Sequence, residues 1–300
     1  MLQTFDERNR DLKVWINGRL LHRDEAGVSP FDSIVQGGDG VWEGLRLYDG
    51  RIFKLVEHLE RLEGSAKALA FADIPPMEDI IGALRKTLVA NNMRDGVHVR
   101  LTLTRGVKVT SGMDPRLNQS GPTLIILPEY KPPVYRTDGL TFITASIRRF
   151  PPDCLDPKIH HNNLIQSILA KIEANAAGAD QALMLDREGF IAEAHGTHVF
   201  LVRNGTVFTS ATDACPEGIT RDTVLQLCER SGIPAVVGRI STTDAYRADE
   251  MFCSGTMGEL AAVTRLDGRT IGAGQPGPMT RRLSELYAEE TRRSGYRIVD

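Results

Sequence analysis

The chain has 300 residues, long enough for one large domain or two modest ones with a substantial core. Its 39 acidic and 36 basic residues nearly balance, so no single-sign field points to nucleic acid or an anionic membrane. Hydrophobic residues make up 41%, and no apolar run approaches the ~18–20 residues of a membrane span. The opening "MLQTFDERNRDLKVW" is polar and acidic, unlike a signal or transit peptide. Cys154, Cys215, Cys228 and Cys253 are scattered with no C-x-x-C pair. We therefore expect reduced thiols in a cytoplasmic protein, with neither a zinc site nor a disulfide framework.

Taken in chain order, "KVWING" is an apolar run ending in Asn17-Gly18, a strong hairpin signal, and "LRLYDGRIF" repeats the pattern with Asp49-Gly50. "LVEHLERLEGSAKALA" carries leucines at 55, 59, 62 and 69, the spacing of one helical face. "PPMEDIIGALRKTLVANN" opens on proline and acidic residues and predicts a second amphipathic helix. In "GVHVRLTLTRG", alternation places Val97, Val99, Leu101 and Leu103 on one side of a strand and His98, Arg100, Thr102 and Thr104 on the other. "TLIILP" reads as a buried strand. "PEYKPPVYRTDG", residues 128–139, holds three prolines and reads as a semi-rigid connector.

Beyond it come a strand in "LTFITASI" and a helix in "NLIQSILAKIEANAAGA" with Ile165, Ile168, Leu169 and Ile172 on one face. A run of short strands follows, turning at Arg187-Glu188-Gly189 and Asn204-Gly205. "TRDTVLQLCERSG" is a helix stopped by Gly232, "EMFCSGTMGELAAV" is a strand breaking into a turn of small residues, and "GPMTRRLSELYAEETRRSG" is a terminal helix. The expected class is α+β: a small α+β domain over 1–127, a linker at 128–139 and a larger β-rich domain over 140–300.

Several common catalytic motifs are absent. There is no P-loop and no G-x-S-x-G elbow, and "QGGDGVWEG" lacks dinucleotide-fingerprint spacing. His160-His161 and the pair His195/His198 have no acidic partner at a recognised metal-ligand spacing, so no metal is expected. "PEGITRD" sets Gly218-Ile219-Thr220 at a helix opening, where backbone N–H groups and a hydroxyl can seat an anion; a plain cap by Thr220 is the simpler alternative. "SGTMGE" suits a tight turn with N–H groups facing a second anion. Arg61 in "HLERLEG" could add a charge, or be a solvated helix cation. Glu193 stands near the end of the strand in "GFIAEAHG", and "LDPKIHHNNL" offers one amine, Lys158.

Together the blocks "VWINGRLL", "GVWEGLRLYDGRIFKLVEHLERL", "ALMLDREGFIAEAHGTHVFLVRNG", "PEGITRDTV", "EMFCSGTMGEL" and "GPMTRRL" resemble, in order and spacing, the class IV aminotransferases, the fold-type IV pyridoxal phosphate family. That resemblance implies a two-domain fold, pyridoxal 5'-phosphate as cofactor, small amino acid and 2-oxo acid substrates, and a homodimer. It implies Lys158 as the Schiff-base lysine and Glu193 as partner of the cofactor's ring nitrogen. Arg61, Ile219, Thr220 and Thr256 match the phosphate cradle, and Thr256-Met257 the turn that meets the substrate carboxylate. Trp42 stands where the family has an aromatic, and Arg100 matches an arginine that contacts the acidic side chain of an amino donor.

Branched-chain or other aliphatic L-amino acids with 2-oxoglutarate are the expected substrates. The alternatives are a D-amino acid or (R)-amine transaminase, an aminodeoxychorismate-type lyase, or a binding homologue without catalysis. One departure stands out. An ungapped alignment of "ILAKIEA" to D-amino-acid-type relatives sets His160 at the lysine position. A shift of two keeps the same strand face, which favours Lys158; Lys171, the competing amine, reads as a surface charge.

Overall fold

The computed structural model describes residues 3–133, 135–136 and 138–300. Met1, Leu2 and two positions of the expected connector, Val134 and Thr137, lie outside the described residues.

In chain order the elements are β1 (Lys13–Ile16), β2 (Arg19–His22), α1 (Ser33–Gly37), β3 (Gly40–Tyr48), β4 (Arg51–Ile52), α2 (Leu55–Ala68), α3 (Met77–Ala90), β5 (Val97–Thr104) and β6 (Thr123–Tyr130). They continue with β7 (Leu140–Arg148), α4 (Pro152–Leu155), α5 (Ile165–Ala176), β8 (Gln181–Leu185), β9 (Ile191–Ala194), β10 (His198–Arg203), β11 (Thr206–Ser210), α6 (Ile219–Arg230) and β12 (Ala235–Gly238). The last are α7 (Thr242–Tyr246), β13 (Glu250–Gly255), β14 (Glu259–Leu266), β15 (Arg269–Thr270), α8 (Pro278–Arg293) and β16 (Tyr296–Arg297). The α+β class follows from these elements. No helix among the described residues is long and apolar enough to cross a membrane.

The chain forms two compact units. The smaller takes residues 3–132 together with Ile159–Asn163 and Thr291–Asp300; the larger takes Pro133–Lys158 and Leu164–Glu290. The smaller unit holds an antiparallel seven-stranded sheet in the order β16-β4-β3-β5-β6-β1-β2. Its hairpins turn at Asn17-Gly18 and Asp49-Gly50, all four residues at positive φ, as two-residue turns that follow strand twist require. At Gly50 a Cβ would stand 2.4 Å from the Val299 carbonyl, so the position also excludes any larger residue.

Alternation decides the faces of that sheet. Val41, Leu45 and Leu47 of β3 and Val97, Val99, Leu101 and Leu103 of β5 are fully buried. Leu59 and Leu62 of α2 and Leu84 and Leu88 of α3 share their core. Burial of each large aliphatic side chain contributes roughly 1.5–3 kcal/mol. The opposite face carries His98, Arg100 and Thr102 of β5, with Arg46, Gly44 and Trp42 of β3 as their register partners.

The larger unit has a nine-stranded sheet, β12-β11-β10-β13-β14-β7-β8-β9, with β15 beside β14. Neighbours β7 and β8 are parallel, as are β11 and β12 and also β14 and β7. A parallel pair needs a long crossover. Here α5 lies in the connection between β7 and β8, and α6 in that between β11 and β12.

Helix α5 has the expected apolar stripe, and the stripe faces outward. Ala170 and Ala174 face the core, while Ile165 (60% exposed), Ile168 (51%), Leu169 (44%) and Ile172 (56%) face outward. Its charged residues are held by their own unit. Lys171 Nζ donates to the Asp180 carbonyl, and Glu173 accepts from the Ser146 amide and hydroxyl. Small residues pack a helix closely on a sheet, so periodicity alone marked the stripe and not the side it faces.

His98 is buried to 5% exposure, and burial, reinforced by Lys131, Arg46 and Arg100, pushes its pKa down to about 3. The folded chain therefore keeps His98 neutral while the unfolded chain protonates it below about pH 6.5. That contribution is fully present above pH 6.5 and is lost as pH falls toward 3. We predict that His98→Gln flattens the acid dependence of stability between pH 6 and 4 by on the order of 1 kcal/mol per pH unit. Urea melts of both proteins across that range check it; identical pH profiles would contradict the assignment.

Candidate active site

In the smaller unit, the backbone of Ile159–Asn163 runs as an added strand along the start of β3. Trp42 donates its amide to the His160 carbonyl at 2.9 Å, Asn162 donates to the Gly40 carbonyl at 2.8 Å, and His161 pairs antiparallel with Val41. The Trp42 indole donates to the His161 carbonyl at 3.1 Å, and its ring stacks on His160 with centroids 4.3 Å apart. The Arg100 guanidinium lies over the same indole, 3.4 Å from the Trp42 ring centroid, and donates to Asn162 Oδ1 at 2.8 Å. Arg100 and Trp42 are thus brought together, as expected of two residues on one sheet face. Burial lowers Arg100 to about 10, which leaves it cationic at neutral pH.

Arg61 is not a solvated helix charge. Its Nε donates to Glu43 Oε1 at 2.8 Å and its Nη2 to Oε2 at 2.7 Å. His58 Nδ1 reaches Glu43 Oε2 at 2.6 Å, and His160 Nδ1 lies 3.4 Å from Oε1. Glu43 is fully buried; burial alone would raise its pKa, but the charge of Arg61 holds it well below the usual carboxylate range. Burial, with Arg61 beside it, lowers His160. Glu43 went unread in the sequence. Its signal was there: in "VWEGLRLY" it is the one charged residue in the apolar phase Val41, Glu43, Leu45, Leu47.

In the larger unit, Glu193 lies in β9 opposite Met184 of β8, 4% exposed. Arg149 Nη2 meets its Oε1 at 2.9 Å, while the same guanidinium donates to Ser167 Oγ and the Ala194 carbonyl. Arg149, the first residue after β7, was also missed; nothing local distinguishes it from its neighbour Arg148. Helix α6 begins at an extended Gly218 with no capping side chain, so Thr220 is the second helical residue and not the cap considered above. The amides of Ile219 and Thr220 lie in the first turn, where no intrahelical acceptor exists. A Cβ on Gly218 would stand 2.3 Å from the His198 ring, whose Nε2 contacts the Pro216 carbonyl at 2.8 Å.

Thr256 and Met257 form the turn between β13 and β14, both half-buried. Gly258 closes this turn against the Tyr135 ring, 1.9 Å from where a Cβ would stand. Just before the turn, Ser254, register partner of His198, has a buried hydroxyl with no hydrogen-bond partner among the described residues. Lys158 has an exposed side chain, and its amide donates to Asp156 Oδ1 at 2.9 Å. The rival Lys171 is held against the Asp180 carbonyl within its own helix–strand corner.

Residues 40–266 match the family model described as amino-transferase class IV. The chain is 51% identical over 291 residues to branched-chain-amino-acid aminotransferase-like protein 2 of Arabidopsis thaliana. That match covers 97% of this chain but only 52% of the relative, so the chain spans about half that protein's length. It is 40% identical to a putative branched-chain-amino-acid aminotransferase of Methanocaldococcus jannaschii, covering 96% of this chain and 100% of that one. Among solved structures, it superposes with a TM-score of 0.84 and 30% identity on the branched-chain amino acid aminotransferase from Thermobaculum terrenum in its PLP-form, covering 95% of each chain.

Proposed function

The chain belongs to the amino-transferase class IV family, and from that premise we propose that it is a pyridoxal 5'-phosphate-dependent transaminase exchanging amino groups between a branched-chain or other aliphatic L-amino acid and 2-oxoglutarate. The donors of the larger unit suit such a cofactor. They are a buried carboxylate on Arg149, helix-terminal amides at Ile219 and Thr220, and the unpartnered Ser254 hydroxyl. When bound, pyridoxal phosphate supplies a carbonyl for covalent capture of an amine and a ring that accepts the electron pair left at the substrate's α-carbon.

In this reading Lys158 would supply the amine that holds the cofactor and would move a proton to and from the substrate's α-carbon. Glu193 would pair with the ring nitrogen, and Arg149, 2.9 Å from its Oε1, would hold the carboxylate in place for that role. Ile219 and Thr220 offer first-turn amides to the phosphate, where the helix dipole adds to the attraction; Arg61 and Thr256 contribute a charge and a hydroxyl. The Thr256-Met257 turn takes the substrate carboxylate, and Trp42 lines the side-chain pocket. A reducing, cytoplasmic setting is part of the proposal; all four cysteines are unbridged.

The observation that carries the substrate assignment is Arg100. It is a cation on the face of the indole, and its hydrogen-bond partner is the neutral Asn162 amide and not a carboxylate. Its charge is thus available to a carboxylate on the ligand, in the bidentate geometry a guanidinium favours. We expect Arg100→Met to raise the KM for 2-oxoglutarate about 30-fold or more, from the loss of a charge-assisted pair, and that for 4-methyl-2-oxopentanoate much less. Steady-state kinetics with L-leucine as donor reads this. Equal effects on both acceptors, or turnover with D-alanine and none with L-leucine, would remove the assignment.

A homodimer completes the reading. Its support is the outward stripe of Ile165, Ile168, Leu169 and Ile172, which bears no charge that would repel an identical copy. Light scattering is expected to show twice the 33.1 kDa chain mass and Ile168→Lys to halve it; a monomer in both cases would overturn this.

A further inference from the structure

The roles above leave the Glu43 carboxylate unused. Desolvating a carboxylate is costly, and an apolar side chain of similar volume often serves packing as well. Glu43 is fully buried on the face of β3 that otherwise presents Val41, Leu45 and Leu47 to the core. Its two oxygens are taken by Arg61 and His58, both on α2, with His160 closing from the added strand. Arg61 itself is 16% exposed at its side chain. The two parallel N–H···O bonds fix the plane of the guanidinium. A single ammonium, or a guanidinium without this partner, would keep its rotamer freedom and lose it only on binding.

We infer that Glu43 is a positioning residue for Arg61, holding the guanidinium in one orientation so that it meets a phosphate ester without reordering. The inference rests on the reading that Arg61 takes the cofactor's phosphate. Glu43 touches neither phosphate nor substrate; it acts through Arg61. Two effects oppose each other. The carboxylate partly neutralises Arg61 and so weakens its pull on a dianion, while the fixed geometry removes an ordering cost. With Arg61 partly exposed, screening reduces the first effect, and orientation is the larger.

The experiment compares pyridoxal 5'-phosphate with pyridoxal, which lacks the phosphate, binding to the cofactor-free full chain by equilibrium dialysis. For Glu43→Gln we expect about five- to tenfold weaker binding of the phosphorylated ligand and unchanged binding of pyridoxal. Glu43→Gln combined with Arg61→Met should bind no more weakly than Arg61→Met alone, since both act through one guanidinium. Equal losses for the two ligands would mean a merely structural role and overturn the inference. So would additive losses, or tighter phosphate binding, which would make Glu43 only a counter-charge. If Arg61→Met itself leaves phosphate discrimination intact, the reading of Arg61 falls and the inference with it. Should Glu43→Gln fail to fold by circular dichroism, Glu43→Asp serves instead. It keeps the negative charge but is too short to hold both guanidinium bonds in place, so the same selective loss is expected and an equal loss for both ligands overturns the inference.

Discussion

A strand shows its side chains to alternate faces, and in the smaller unit this constraint sets both the core and the chemistry. One phase of β3 and β5 is almost wholly aliphatic and packs under α2 and α3. The other phase presents Trp42 and Arg100 side by side with His98. A one-residue slip would exchange the two sets, driving Arg100 and His98 into the aliphatic core and setting leucines among the polar groups of the other face. Register is therefore held by the whole core, and the residues of the opposite face inherit its rigidity.

The buried charges follow a second rule: each is committed to a partner. Glu43 is held by Arg61 and His58, and Glu193 by Arg149. Glu250 accepts from the Met279 and Thr280 amides and the Thr280 hydroxyl at the start of α8, where a helix N-terminus favours an anion. Removing one member of such a pair strands the other in a low-dielectric interior, a loss of about 3–5 kcal/mol. The cost explains why these pairs can serve as fixed electrostatic fittings. The resemblance that implies Arg61 as a phosphate ligand leaves out the carboxylate that holds it, Glu43.

What could be read from the chain divides along physical lines. Alternation in "GVHVRLTLTRG", the Asn-Gly and Asp-Gly turns, and the helix opening at Gly218-Ile219-Thr220 are local, and each appears in the structure at its expected place. Orientation was not legible for α5, because a heptad-like stripe marks one face without saying whether alanines or isoleucines pack inward. Nor was the added strand at Ile159–Asn163. Its contacts join His160 to Trp42 across 118 residues, and no window of local sequence encodes them. Glu43 lay between these cases: a charge in the apolar phase of a strand is a visible inconsistency, and such inconsistencies mark functional sites more often than errors of patterning.

The proposed transamination turns on Lys158, because "KIHHNNL" puts this amine two residues before the histidine found by ungapped alignment. The direct measurement is to load the purified chain with pyridoxal 5'-phosphate, reduce it with borohydride, digest it and locate the added mass by tandem mass spectrometry. The label is predicted to sit on Lys158 alone. A label on Lys171, or a chain that takes up no label under these conditions, would contradict the assignment.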